Sequence, residues 1–134
     1  MCPSIEILDR RILRHDTQSG ITRSVLETIS DNTANAGIVL GPEKHKLSSI
    51  DLRWNGAIVL RSGEVEETGP GASVLNDPVK SVLWLARRMA EYGQKIEPVQ
   101  IVLSGSFIRA IEFPSGSHIK VDFGNFDPVA ISFN

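Results

Sequence analysis

The chain has 134 residues, 41% of them hydrophobic, one cysteine, and a formal net charge of −2 from 14 basic and 16 acidic side chains. That length suits one domain, residues 1–134, with a core of its own, and the near-balanced charge excludes the basic footprint of a nucleic-acid binder or a polybasic membrane arm. Apolar runs of a few residues fall far short of the roughly 20 that a bilayer-spanning helix needs. Pro3 and Glu6 stand where a secretory leader would carry its basic and apolar regions, and a lone Cys2 forms no internal disulfide, so the expected compartment is the cytoplasm. Cys2 has no neighbouring base in the sequence and is read as inert rather than nucleophilic.

In chain order, Ile5, Ile7 and Leu8 with Ile12 and Leu13 read as a strand or strand pair, followed by an exposed polar loop over residues 14–20. Val25, Leu26 and Ile29 have helical spacing, and the small polar residues 30–37 after them make either a frayed helix end or a turn lining a site. The period then becomes two: residues 51–54 and 57–60 predict strands, and Ser62-Gly63 is a two-residue turn into residues 64–68, completing a hairpin. Gly69-Pro70-Gly71 ends it. Asp77-Pro78 opens the clearest helix, with Asp77 as N-cap, Pro78 in the first turn and Gly93 at the C-terminal cap. Val79, Val82, Leu83, Ala86, Met89 and Ala90 form one apolar stripe, which predicts packing on a sheet. Ile101-Val102-Leu103 predicts a buried strand running into Ser104-Gly105-Ser106, and residues 119–123 and 129–133 alternate as two further strands. The sum is an α+β fold, mostly β with one long helix, and without repeats.

Several residues are candidates for chemistry. Glu6 either faces solvent on a strand whose Ile5 and Ile7 face inward, or points into a cavity where a cation must offset its desolvation. Ser104-Gly105-Ser106 is either an ordinary tight turn or a presentation of hydroxyl and N–H groups to a carboxylate, since glycine lets a ligand approach the main chain. Asp31 and Asn32 either orient a substrate or cap and turn the backbone. His15, His45 and His118 show no ligand spacing and read as surface residues, which gives no support for zinc. Trp54 and Trp84 are assigned to core or subunit packing.

Four segments together resemble the carboxyl-terminal half of the 2-keto-4-pentenoate hydratase family, within the fumarylacetoacetate hydrolase superfamily. They are Ser4-Ile5-Glu6-Ile7-Leu8-Asp9-Arg10-Arg11-Ile12; Thr28-Ile29-Ser30-Asp31-Asn32 with Gly37-Ile38-Val39-Leu40-Gly41; residues 63–78 with Trp84-Leu85-Ala86; and residues 101–107. The resemblance implies a mixed β-sheet curled into a barrel-like roll with helices outside, here one long flanking helix. It implies Mg²⁺ or Mn²⁺ held by three acidic side chains, of which Glu6 matches the last; the other two, and the lysine and aspartate usually assigned to proton transfer, have no counterpart. The catalytic residues proper are therefore unassigned.

For an intact member the resemblance implies hydration of 2-hydroxypenta-2,4-dienoate or a close relative from aromatic ring cleavage. The cation chelates the 2-oxo group and carboxylate as Lewis acid and template, and water adds at C4. Carried onto this chain, Glu6 holds the metal, Ser104 and Ser106 contact the keto acid, and Asn32 lines the substrate's tail. Two departures concern the substrate: an apparent extra loop at Gln18-Ser19-Gly20, and Ala34 where many members carry serine. The sister 2-oxo-3-enedioate decarboxylases are the alternative enzyme reading. A catalytically silent truncated domain that acts through association is the alternative of another class, because one carboxylate is a poor Mg²⁺ site. Homo-oligomerisation is expected, since family members are commonly multimeric and exposed sheet edges invite pairing.

Overall fold

The structure is a computed structural model that describes residues 1–9 and 11–134, Ser49 through its backbone alone. Arg10, part of the first segment that carries the family resemblance, lies outside the described residues. The chain divides into two compact units, Ser4–Leu40 and the combination of Met1–Pro3 with Gly41–Asn134.

In the first unit, β1 (Ser4–Leu8) pairs antiparallel with β2 (Asn35–Leu40), setting Ile5 opposite Val39 and Glu6 opposite Ile38, with a bulge after Ile7. Of the strand and strand-pair readings, the described residues give the single strand, with Ile12 and Leu13 outside it. There the chain turns, and Arg11 Nη2 donates to the carbonyls of Asp31 and Asn35 at 3.1 and 3.0 Å. Residues 14–20 form the expected exposed loop, tied by the Asp16 carboxylate, which accepts from Gln18 N and Ser19 Oγ.

Helix α1 (Val25–Ser30) starts at a reciprocal cap: Ser24 Oγ accepts from Glu27 N at 3.2 Å while Glu27 Oε2 accepts from Ser24 N at 2.7 Å. This satisfies two backbone donors that the helix cannot. The helix stops at Asp31, and a tight turn over Asn32–Ala34 carries three consecutive residues in the left-handed region, φ 49°, 54° and 66°. Strand β2 follows at once.

The second unit holds a four-stranded antiparallel sheet in the order β4-β3-β5-β6, built from β3 (Gly56–Arg61), β4 (Glu64–Pro70), β5 (His118–Asp122) and β6 (Val129–Ser132). Period-two alternation buries one face. Val59 lies opposite Val121, which lies opposite Val129, so three buried valines form a row across β3, β5 and β6. Ile119, Phe123, Phe126 and Val74 complete the core around them. Ser62 and Gly63, at φ 49° and 91°, make the tight hairpin turn whose twist matches the flanking strands. All pairings among the described residues are antiparallel; those of the named strands lie in two sheets that close no barrel, and an isolated bridge joins His15 and Thr22.

Two predicted strands do not form among the described residues, for identifiable reasons, and of the two readings for the tryptophans the core one falls. Residues 51–54 are a turn, not a strand, because Asp51 Oδ1 captures Arg53 N at 3.1 Å and Arg53 Nε at 2.9 Å. Trp54 on that turn is 80% exposed and Trp84 is 63% exposed, so neither is core. Residues 101–103 pair with no strand among the described residues, and Ile101 is exposed. Apolar content alone therefore does not give them a ladder.

The Asp51 turn yields an acid-range prediction. The Arg53 side-chain hydrogen bond holds the Asp51 carboxyl down to about 2 from its ordinary 3.8. A folded pKa below the unfolded one contributes stability that is present above the unfolded pKa and lost as pH falls through the folded value. Carbon-detected NMR titration is expected to give Asp51 a midpoint near about 2, and Arg53→Ala to return it towards 3.8. An ordinary midpoint in the parent protein would contradict the turn.

Helix α2 (Pro78–Glu91) forms as its sequence dictates: Asp77 Oδ1 accepts from Val79 N at 3.0 Å, Pro78 occupies the first turn, and Gly93, at φ 69°, follows the cap residue Tyr92. Its stripe is only half covered, with Pro78 its sole fully buried residue and Leu83 exposed, short of the expected packing on a sheet. One hydrogen bond from the helix runs from Ser81 Oγ to the Ser104 carbonyl.

Candidate metal and substrate site

Glu6 and Asn32 lie in the first unit, Ser104 and Ser106 in the second, and each pair is described within its own unit. Glu6 sits mid-strand on the exposed face of β1, with Ile5 and Ile7 half-buried on the other. The solvent-facing alternative therefore describes its strand face. Its carboxylate is nonetheless positioned: Asn35 Nδ2 donates to Glu6 Oε1 at 2.8 Å. Asn35 begins β2, immediately after the left-handed turn that contains Asn32. Sequence reading missed Asn35, because only strand register sets it beside Glu6. An exposed carboxylate fixed at one oxygen by an amide suits one ligand of a hard divalent cation, which takes its remaining oxygens from other groups.

Asp31 is a structural residue. It is buried, and its two oxygens take Arg23 Nη1 at 3.0 Å and Arg11 Nε at 3.2 Å. Its backbone N–H closes α1 by donating to the Glu27 carbonyl at 3.0 Å. Asp31 occupies the cap position through its backbone alone; its carboxylate makes no capping hydrogen bond and is taken up by the two arginines. Asn32 is exposed at φ 49°, a conformation that asparagine tolerates better than most residues. Ala34, the residue found where a serine was expected, is buried. Its N–H donates to the Asp31 carbonyl at 2.9 Å, and its carbonyl accepts from Asp9 N at 2.8 Å.

Ser104 and Ser106 flank Gly105, which is at φ 108° against the Val74 side chain. Ser104 is half-buried and Ser106 exposed. Ser106 Oγ donates to the Ile108 carbonyl at 2.7 Å and accepts from Ile108 N at 3.3 Å. The Ser106 hydroxyl is thus engaged with the local backbone at Ile108.

No family model matches the chain. Over 131 residues it is 42% identical to the 2-oxo-hept-4-ene-1,7-dioate hydratase of Escherichia coli, covering 98% of this chain and 49% of that protein. It is 32% identical over 104 residues to the 2-keto-4-pentenoate hydratase of Paraburkholderia xenovorans LB400, covering 78% of this chain and 36% of that protein. The fold matches 4-oxalocrotonate decarboxylase from Pseudomonas putida G7 complexed with magnesium and adipate. The TM-score is 0.87 at 28% identity, over 99% of this chain and 48% of that one.

In class, then, this α+β chain has the sequence and architecture shared by these hydratases and decarboxylases, and it spans about half the length of the relatives it matches. More narrowly, its resemblance to the 2-keto-4-pentenoate hydratase family extends over the whole chain. Among the described residues no helix is long and apolar enough to cross a membrane.

Proposed function

We propose that this chain forms part of a divalent-cation-dependent hydratase that acts on 2-hydroxypenta-2,4-dienoate-type keto acids, the 2-keto-4-pentenoate class produced in aromatic catabolism. The observation that carries this reading is the 42% identity to a hydratase across nearly the whole chain. Its units act as one domain in a cytoplasmic homo-oligomer, and further strands complete a barrel-like roll.

Glu6 is one ligand of Mg²⁺ or Mn²⁺, its carboxylate oriented by Asn35. A bound cation supplies Lewis acidity and a template for a chelating 2-oxo acid. Ser104 and Ser106 hydrogen-bond the keto acid, and Asn32 lines its tail. The remaining oxygen ligands and the proton-transfer groups come from beyond this chain's matched segments. A decarboxylase acting on a 2-oxo-3-enedioate is the second reading, favoured by the structural likeness to 4-oxalocrotonate decarboxylase.

Paramagnetic Mn²⁺ added to the chain is expected to broaden the amide signals of Ile5, Ile7 and Asn35, and Glu6→Gln to abolish that broadening. Broadening that is absent, or that persists in the variant, refutes the assignment of Glu6. Product analysis on the metal-loaded protein separates the two chemistries: loss of dienol absorbance without CO₂ marks a hydratase, and CO₂ release a decarboxylase.

A further inference from the structure

We propose that Glu43, His45 and Asp127 form a second cation site, made of residues other than those assigned above and suited to a borderline divalent transition ion of the zinc type. One ligand atom from each of the three lies within 4.8 Å of the others. All three belong to the second unit, so the cluster does not depend on how the two units are arranged.

The fold delivers these groups by two independent routes. Glu43 and His45 are two residues apart on the segment after β2, where the main chain is fixed by His45 N donating to the Met1 carbonyl at 2.7 Å. Asp127 directly follows Phe126, a buried core residue whose ring meets the His45 imidazole edge-to-face at 4.6 Å. The aromatic contact that seats the histidine therefore also brings the aspartate to it.

A second observation points to a ligand. His45 Nε2 is buried and has no hydrogen-bond partner among the described residues. A buried ring nitrogen left unpaired is costly, and buried polar atoms are rarely left so without reason. A cation coordinated through Nε2, with the two carboxylates alongside, would remove that cost. Glu43 is exposed, while His45 and Asp127 are half-buried. The glutamate can therefore swing in by rotamer change to close a tetrahedron whose metal–ligand distances are about 2.0–2.2 Å.

The donor set selects the ion. An imidazole with two carboxylates suits zinc and its neighbours in the first transition row, whereas magnesium prefers an all-oxygen, largely hydrated shell. Three protein ligands leave the fourth position to water.

The test is Zn²⁺ titration of the whole chain against a chromophoric chelator, with Co²⁺ absorption reporting coordination geometry. One Zn²⁺ per chain and a Co²⁺ spectrum of low coordination number are expected. Removing a ligand by His45→Gln or Asp127→Asn is expected to weaken binding by more than the ~10–100-fold that loss of an outer-shell partner costs. Glu43→Gln, at an exposed position, gives the same direction of effect without disturbing the core and covers the case in which the other two variants misfold. Cys2→Ser is expected to leave zinc affinity within about twofold, since Cys2 is not in the donor set. No zinc uptake, uptake unchanged by Glu43→Gln, or uptake abolished by Cys2→Ser overturns the proposal.

Discussion

Gly71→Ala is expected to cost the protein about 3 kcal/mol of stability or more, at the top of the ~1–3 kcal/mol typical of overpacking or beyond it, or its cooperative unfolding transition altogether. A Cβ at this position falls inside contact distance of the Leu52 carbonyl oxygen and stands 2.7 Å from that of Asn55. Both are backbone atoms, so neither can rotate away. The same approach carries Gly71 N to the Asn55 carbonyl at 2.8 Å and Ala72 N to the Arg53 carbonyl at 2.9 Å, and these bonds dock the end of β4 on the 51–55 turn. Asn55 in turn reaches the core, its Nδ2 donating to the Phe123 carbonyl at 2.6 Å. Total stabilities of about 5–15 kcal/mol leave little to absorb the loss of this junction. Urea denaturation reads the effect, and a variant that unfolds at the parent's midpoint would contradict the close main-chain approach at Gly71.

Asp31→Ala is the second large effect, expected at about 3–5 kcal/mol, the range for breaking a buried ion pair by removing one partner. The figure belongs mainly to Arg23, whose side chain is 12% exposed beside a 5% exposed carboxylate. Arg11 is 47% exposed, so solvent screens its share. A double-mutant cycle with Arg23→Ala is expected to recover about 1–3 kcal/mol as pair coupling. Strict additivity of the two variants would mean that Arg23 and the Asp31 carboxylate are not coupled, contradicting the buried pair.

What could be read from the sequence is what local chemistry determines. The Ser62-Gly63 turn, the Asp77-Pro78 start of α2 and the alternation in β5 and β6 each depend on a few adjacent residues. The turn at residues 51–54 was misread because the apolar Leu52 and Trp54 imitate a strand, whereas the deciding force is the Asp51 carboxylate bonding Arg53. Strand β2 and residues 101–103 depend on whether a partner edge exists, which neither segment encodes. At the candidate site Glu6 was legible as an odd carboxylate in an apolar run, while Asn35 required the β1–β2 register. His45 shows no ligand spacing in the sequence, and Asp127 is too remote along the chain to signal one. Only the packing of Phe126 brings the groups together.

The Ser106 hydroxyl proton is already committed to the Ile108 carbonyl. An incoming oxygen at this turn therefore competes for a proton already in use, and the net benefit is the small difference between two similar bonds. If a keto acid binds here as proposed, such a segment would discriminate only weakly among carboxylates by hydrogen-bond strength, and selectivity would have to come from shape and angle of approach.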